Sequence, residues 1–126
     1  MPEKPQKRAF WRKDVELPMA FRILQENEAE LPAFSSACKI INISGNGFLF
    51  LNDYPLDSNA ILDTALILKR SRNPLRILCQ VVRTLNQRED GLFPIAVTYS
   101  IITPSIQDQI IKDIFEEERR EELLQG

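Results

Sequence analysis

The stretch CKIINISGNGFLFL, residues 38–51, contains two apolar runs with a short polar segment between them. The runs, 38–44 and 48–51, are short and rich in β-branched and aromatic residues, which is typical of strands covered on both faces or bent within a barrel. Asn, Ser and Gly between them are the residues from which tight turns are built. The stretch therefore predicts two strands joined by a turn.

Working outward, apolar and polar residues alternate over 15–23, 75–83 and 93–101, and a more uniformly apolar run covers 61–68. A period of two is the signature of a half-buried strand, so the chain predicts six strands. The segments 52–59, 71–74 and 86–91 are rich in turn-forming residues, and each is predicted to join neighbouring strands in a hairpin. Pro18 and Pro94 fall inside strand patterns, which predicts edges or bulges, as in an opened barrel.

After residue 103 the pattern becomes helical. Thr103 suits the N-cap and Pro104 the first helical position, while Ile106, Ile110 and Ile114 share one face. The sequence thus predicts an all-β fold with a C-terminal α-helix. We expect a flexible basic arm over 1–14, a barrel over 15–102 and a helix over 103–126.

Composition excludes several functional classes. The 126 residues are 44% hydrophobic and 27% charged, which suits one globular domain. A net charge of −2 gives no general basic surface for nucleic acid. No apolar stretch resembles a membrane span or a secretory signal, so we expect a cytoplasmic protein without membrane insertion.

Catalytic and redox signatures are also missing from the sequence. The chain has no histidine, and we find no phosphate-binding glycine loop, metal cluster or nucleophile with its base. We therefore expect neither an enzyme nor a cofactor. Cys38 and Cys79 lie in apolar strand-like runs and are expected to be buried free thiols.

Two arginines in the basic arm, Arg8 and Arg12, form an R-x-x-x-R pattern. An arginine can grip phosphate oxygens or the O6 and N7 edge of guanine with its planar fork of donors. In an extended segment the pair would stand about 13 Å apart, enough to straddle a dinucleotide. The same spacing recurs at Arg72 and Arg76 in a predicted hairpin, where we interpret it as structural.

R-x-x-x-R followed by N-x-S-x-x-G, residues 42–47, resembles the signature of PilZ domains, which bind the second messenger cyclic di-GMP. The resemblance implies a six-stranded antiparallel split β-barrel with a C-terminal helix, and a receptor rather than an enzyme. It implies ligand contacts from Arg8, Arg12, Asn42, Ser44 and Gly47, with Lys7 and Gly45 as further candidates. Asn42 and Ser44 would bond a guanine edge, and Gly47 would shape the turn.

The resemblance also implies how the domain would signal. Ligand would order the arm and thereby expose or hide a surface for a protein partner that the sequence does not identify. Trp11, between the arginines, is expected to anchor the arm on the barrel rather than stack on guanine. The alternative is a PilZ-like interaction module that no longer binds nucleotide. We expect a monomer or a weak homodimer, with one cyclic di-GMP or a stacked pair bound.

Overall fold

The computed structural model describes residues 11–24, 32–69 and 71–125, with side chains described as far as Phe115. Within these residues the chain forms six strands and one helix, which confirms the predicted fold class. The elements are β1 (Arg12–Leu24), β2 (Cys38–Ser44), β3 (Gly47–Asn52), β4 (Ile61–Leu66), β5 (Leu75–Thr84), β6 (Phe93–Tyr99) and α1 (Pro104–Gln125).

The strands form one closed antiparallel barrel in the order β1-β2-β3-β6-β5-β4. Closure is made by β1, which pairs with β2 on one side and with β4 on the other. The connections over 71–74 and 86–91 join neighbouring strands, as predicted. The prediction that 52–59 makes a hairpin is wrong, because β3 pairs with β2 and β6 while β4 pairs with β1 and β5. Turn residues show that the chain reverses, but not which strand it meets next.

Strand β1 begins at Arg12, three residues before the alternation that starts at Val15. Arg12, Lys13 and Asp14 were assigned to the arm because they are polar, yet their backbone pairs with Ser44, Ile43 and Asn42. The register then shifts between Asp14 and Leu17, which is where a β-bulge belongs. The end of the predicted arm is therefore part of the barrel wall.

The two strand prolines sit in a closed sheet rather than at an open edge. Pro18 directly follows the bulged segment of β1 and still pairs with Lys39 of β2. Pro94 is the second residue of β6 and pairs with Leu51 of β3. Both positions tolerate a missing N–H because they lie beside an irregularity or near a strand start.

The barrel interior is filled by the inward residues of the alternating strands, including Met19, Phe21, Ile40, Phe50 and Ile95, all fully buried. Helix α1 closes one end of this core with Ile110 and Ile114. Its first turn is capped as predicted, since the Ile106 N–H donates to Thr103 Oγ1 at 3.2 Å. The Asp113 carboxylate accepts the Lys69 N–H at 3.2 Å and holds the helix beside the end of β4.

The cysteines are unbonded, with Cys79 buried and Cys38 half-buried. Burial raises the pKa of Cys79 to about 12, despite an opposing hydrogen bond with Thr64, so its sulfur is a neutral thiol near pH 7. Burial likewise raises the pKa of Cys38. Among the described residues, no helix has the length and apolar character needed to cross a membrane.

Candidate ligand-binding site

The predicted site residues meet where β1 begins and β2 ends. Arg12 lies opposite Ser44, and Asp14 lies opposite Asn42. Successive strand residues point to opposite faces, so Arg12 and Asp14 share the outer face of the barrel. We call Arg12, Asp14 and Asn42 the β1–β2 ledge. Lys7 and Arg8 lie outside the described residues.

The Arg12 side chain is exposed. Within the described part of the chain its guanidinium has no hydrogen bond or ion pair. A guanidinium carries five N–H donors in a planar fork and remains charged at every physiological pH. The ledge thus presents an unused cation to solvent at the position that the R-x-x-x-R pattern predicts.

Asn42 is half-buried, and its Nδ2 donates a hydrogen bond of 2.8 Å to Asp14 Oδ1. This bond spans the two strands and consumes one amide proton. Among the described residues, no other partner contacts Asn42 Oδ1 or Asp14 Oδ2. Two acceptor oxygens therefore remain available beside Arg12.

Ser44 faces the turn that follows it and is only 5% exposed. Its Oγ lies 2.8 Å from Asn46 Oδ1 and 3.2 Å from the Gly47 carbonyl oxygen, both of which accept from it. The same oxygen accepts the Asn46 N–H at 3.3 Å. The hydroxyl thus closes a local serine turn and is not turned towards solvent in this structure.

Gly47 is required by a close approach between strands, because a Cβ built there would lie 2.0 Å from the Val97 carbonyl oxygen. Positive φ angles occur in the described residues at Asn59 and Gly91, not in the turn over 42–47. Of the two roles expected for Gly45 and Gly47, positive φ and close backbone approach, the structure shows close approach at Gly47 and positive φ at neither. A glycine permits either a special backbone angle or a close neighbour, and sequence does not separate the two.

Side chains of helix α1 and strand β6 donate hydrogen bonds to this turn. Gln107 Nε2 donates to the Gly45 carbonyl at 3.0 Å, and the Tyr99 hydroxyl donates to the Ser44 carbonyl at 3.0 Å. Burial, with a smaller contribution from Cys79, raises the pKa of Tyr99, so its hydroxyl keeps its proton and remains a donor. The turn is therefore hydrogen-bonded to both the helix and β6.

Trp11 forms a second connection between the ledge and the helix. Its ring meets Phe115 edge to face, with centroids 5.7 Å apart, and packs against the core. Its carbonyl accepts the Gly45 N–H at 3.2 Å. Its indole Nε1 is buried without a hydrogen-bond partner in the described part of the chain. This is the anchoring arrangement that the sequence predicted.

The second R-x-x-x-R copy belongs to a different environment. Arg76 donates to Asp63 through Nε at 3.0 Å and through a second, shorter contact, and Arg22 Nε donates to the same carboxylate at 2.8 Å. Both guanidinium groups stack on Phe34, at 4.5 Å for Arg22 and 5.0 Å for Arg76. We call these four residues the Asp63 cluster. The structural interpretation of Arg76 is confirmed.

The two arginines of this cluster favour the charged form of the Asp63 carboxylate. Burial favours the neutral acid, but the hydrogen bonds and charges of Arg76 and Arg22 outweigh it and lower the pKa of Asp63 below its ordinary value. The cluster ties β1, β4 and β5 to the segment that precedes β2.

A separate groove lies at the barrel end opposite the ledge. It has a volume of about 660 Å³ and is lined by Cys38, Asn52, Asp53, Arg88 and Asp90, among others. Of the predicted ligand contacts that lie in the described residues, none borders it. In the described residues, no three acidic, Cys or His side chains gather as a metal site.

Sequence reasoning missed three residues at the site: Asp14, Tyr99 and Gln107. Tyr99 and Gln107 reach the turn from distant segments, so no local pattern identifies them. Asp14 could have been found from the register alone, because it stands two residues after Arg12 and directly opposite Asn42.

The described residues thus form a small β-barrel domain, a closed six-stranded barrel with a C-terminal helix and an exposed arginine beside a polar turn. The family model described as PilZ domain matches residues 6–116. The chain belongs to the PilZ domain family. No curated protein matches its sequence.

Solved structures share the fold. The PilZ domain of YcgR from Escherichia coli with c-di-GMP has a TM-score of 0.64 at 14% identity, covering 96% of this chain and all of that one (100%). MotI (DgrA) of Bacillus subtilis, an inhibitor of motility, has a TM-score of 0.66 at 19% identity, covering 94% of this chain and 54% of that one. The MrkH–c-di-GMP complex of K. pneumoniae has 0.66 at 18% identity, covering 93% and 55%. The chain thus spans about half the length of MotI and MrkH.

Proposed function

We propose that this domain is a receptor for cyclic di-GMP that binds the nucleotide on the β1–β2 ledge. The observation that carries the proposal is Arg12, an exposed guanidinium without a partner in the described residues, held opposite Ser44 at the start of the motif turn. Membership of the PilZ family and the c-di-GMP in the YcgR and MrkH structures support the choice of ligand.

In this proposal the predicted residues divide the work. Arg12, with Arg8 and Lys7 from the segment 1–14, grips phosphate oxygens or the O6 and N7 edge of guanine. Asn42 bonds the guanine edge from the ledge. Ser44, Gly45 and Gly47 shape the turn that positions Asn42 for the ligand. Gly47 also lets β6 approach closely.

We propose that the signal leaves through helix α1. Ligand that draws the residues preceding Trp11 over the ledge acts on Trp11, which contacts Phe115, and on the turn, which Gln107 contacts. A change in helix position would then be read by a protein partner of unknown identity, in the control of motility, biofilm formation or secretion. Inhibition of motility by MotI is a precedent within the shared fold. The working form would be a cytoplasmic monomer or weak homodimer acting without nucleic acid.

Isothermal titration with cyclic di-GMP tests the proposal. Arg12→Ala should weaken binding about ten- to a hundredfold, since a charged hydrogen bond contributes roughly 1.5–3 kcal/mol. Arg76→Ala is the matched control, because this arginine has the same motif spacing but is committed to Asp63. It should leave affinity unchanged.

The competing function is an interaction module that has lost its nucleotide. The buried Ser44 hydroxyl, whose hydrogen bonds are made within the turn, is the observation that favours it. Absence of binding heat with the wild type would overturn the receptor proposal and favour that alternative. Equal affinity of Arg12→Ala and wild type would instead overturn the assignment of the nucleotide site to the β1–β2 ledge.

A further inference from the structure

The hydrogen bond between Asp14 and Asn42 places a carboxylate next to the motif asparagine. The residues are direct partners across β1 and β2, and Nδ2 of Asn42 donates to Oδ1 of Asp14 at 2.8 Å. Asp14 is exposed and Asn42 is half-buried, so the pair borders solvent. Neither residue is needed to fill the core.

The bond determines which atoms the pair offers to a ligand. A free asparagine amide presents a donor and an acceptor and can rotate to exchange them. Here the donor end is turned to Asp14, which leaves Asn42 Oδ1 and Asp14 Oδ2 as two acceptors without partners in the described residues. The ledge therefore carries two neighbouring acceptor oxygens and one negative charge.

That set matches one edge of guanine. The Watson–Crick edge carries the N1–H and the 2-amino group side by side, and both are donors. A single carboxylate could accept from both, whereas a single asparagine could accept only once and would turn an N–H towards a donor if it rotated. Arg12, two residues before Asp14 on the same face, offers the donors that O6, N7 or phosphate would accept.

We infer that Asp14 is a positioning and specificity-determining residue for guanine, supplying across the strand pair the carboxylate that position 42 lacks. It fixes the amide of Asn42 with the oxygen towards the ligand and accepts from the 2-amino group itself. This inference rests on the proposed function, because it assigns Asp14 a role at the same cyclic di-GMP site.

The test measures affinity for cyclic di-GMP in three variants: Asp14→Ala, Asn42→Asp and the exchanged pair Asp14→Asn with Asn42→Asp. Asp14→Ala should weaken binding about tenfold, the loss of one charge-assisted bond. Asn42→Asp alone should also weaken it about tenfold, because it replaces the donor with a second carboxylate facing Asp14. The exchanged pair keeps one bond and one charge and should bind within about threefold of wild type.

A ligand lacking the 2-amino group separates recognition from general support of the ledge. Wild type should bind cyclic di-IMP about tenfold more weakly than cyclic di-GMP, and Asp14→Ala should reduce that preference to about twofold. A merely structural role would weaken both ligands equally. Thermal melts confirm that each variant is folded at the titration temperature.

The outcomes distinguish failure of the receptor function from failure of the role assigned to Asp14. If wild type does not bind, both the receptor function and this inference fall. If wild type binds no better than Arg12→Ala, the ligand does not use the ledge, and both the proposed site and this inference fall. If Arg12→Ala weakens binding while Asp14→Ala stays within about twofold of wild type, the receptor stands and this inference fails. Tighter binding by Asn42→Asp than by wild type, or an unchanged preference over cyclic di-IMP in Asp14→Ala, would also overturn it.

Discussion

The β1–β2 ledge and the Asp63 cluster both contain arginine and aspartate, but the two regions use these side chains differently. In the cluster, one buried carboxylate accepts from Arg22 and Arg76, and Phe34 covers both guanidinium groups. On the ledge, Asp14 accepts from an amide instead, and Arg12 is left without a partner in the described residues. The Asp63 cluster pairs its charged groups with one another, whereas the ledge leaves its arginine available to a ligand.

This difference shows why spacing alone is a poor guide to function. Arg8 and Arg12 share their four-residue interval with Arg72 and Arg76, but Arg76 lies next to Asp63 in the folded barrel. A charged group that is paired and stacked contributes to stability, whereas an unpaired exposed one adds almost nothing to it and stays free for a ligand. The two regions should therefore respond oppositely to mutation.

The largest effect is expected from Asp63→Ala. Removal of this carboxylate leaves Arg22, with 17% of its side chain exposed, and Arg76 without their shared anion. Loss of one partner from a buried ion pair costs 3–5 kcal/mol, and the partial exposure of Arg76 places the expected loss near the lower end, at about 3 kcal/mol. Urea unfolding measures it.

Asp57→Ala is the control for this variant, since Asp57 is an exposed loop carboxylate and should change the unfolding free energy by less than about 0.5 kcal/mol. The folded Asp63→Ala protein should still bind cyclic di-GMP. A loss below about 1 kcal/mol would mean that the cluster is solvated like an ordinary surface pair.

Much of the barrel was predictable because its signals are local. The alternation of β5 and β6, the cap at Thr103 and the apolar face of α1 depend on neighbours within a few residues. The strand order was not predictable, since nothing in residues 52–59 encodes that β3 pairs with β6. The start of β1 was missed because Arg12, Lys13 and Asp14 are held by pairing with β2 rather than by burial.

The site was predictable only as far as the motif reaches. Asn42, Ser44 and Gly47 were identified as a group, but the partner that Gly47 approaches was not, because the position of Val97 belongs to tertiary structure. Asp14 was not predicted for the same reason, because it meets Asn42 only through the pairing of β1 with β2. A motif records which residues occur, whereas the register determines which of them touch.

The next effect concerns the support beneath the ledge. Gly47→Ala would place a methyl group against backbone atoms of Val97, and main chain in a paired strand has little room to move. We expect a loss of about 2–3 kcal/mol in unfolding free energy, the usual range for overpacking, together with weaker cyclic di-GMP binding.

Gly91→Ala provides the contrast, because Gly91 has φ of 87° and open space around its missing Cβ. Its cost should be only the backbone strain, about 1 kcal/mol, with ligand affinity unchanged. Equal losses at both glycines would contradict the assignment of Gly47 to close strand approach.

Acidification should reduce the contribution of the Asp63 cluster to the unfolding free energy. The pKa of Asp63 is lowered in the folded state, so the stability it contributes is fully present above the unfolded-state pKa of about 3.9 and is lost as pH falls through the lower folded-state pKa. The stability difference between wild type and Asp63→Asn should therefore stay constant from about pH 7 to 5 and shrink as the pH falls below about 4.

Urea unfolding of both proteins at a series of pH values measures this difference, and Asp57→Asn controls for the general change in net charge. A difference that grows on acidification would mean that the folded state raises the pKa of Asp63, and hence that burial outweighs the two arginines.

The smallest effects separate the arginines themselves. Arg76→Ala removes hydrogen bonds to Asp63 and stacking on Phe34, but its side chain is 52% exposed, so we expect a loss of only about 1 kcal/mol. Arg12→Ala and Arg72→Ala should each stay within about 0.5 kcal/mol of wild type in unfolding free energy. Ligand binding should reverse the order, with a large effect at Arg12 alone. A stability loss at Arg12 as large as that at Arg76 would show that the ledge arginine serves the fold, and the contrast between the two regions would disappear.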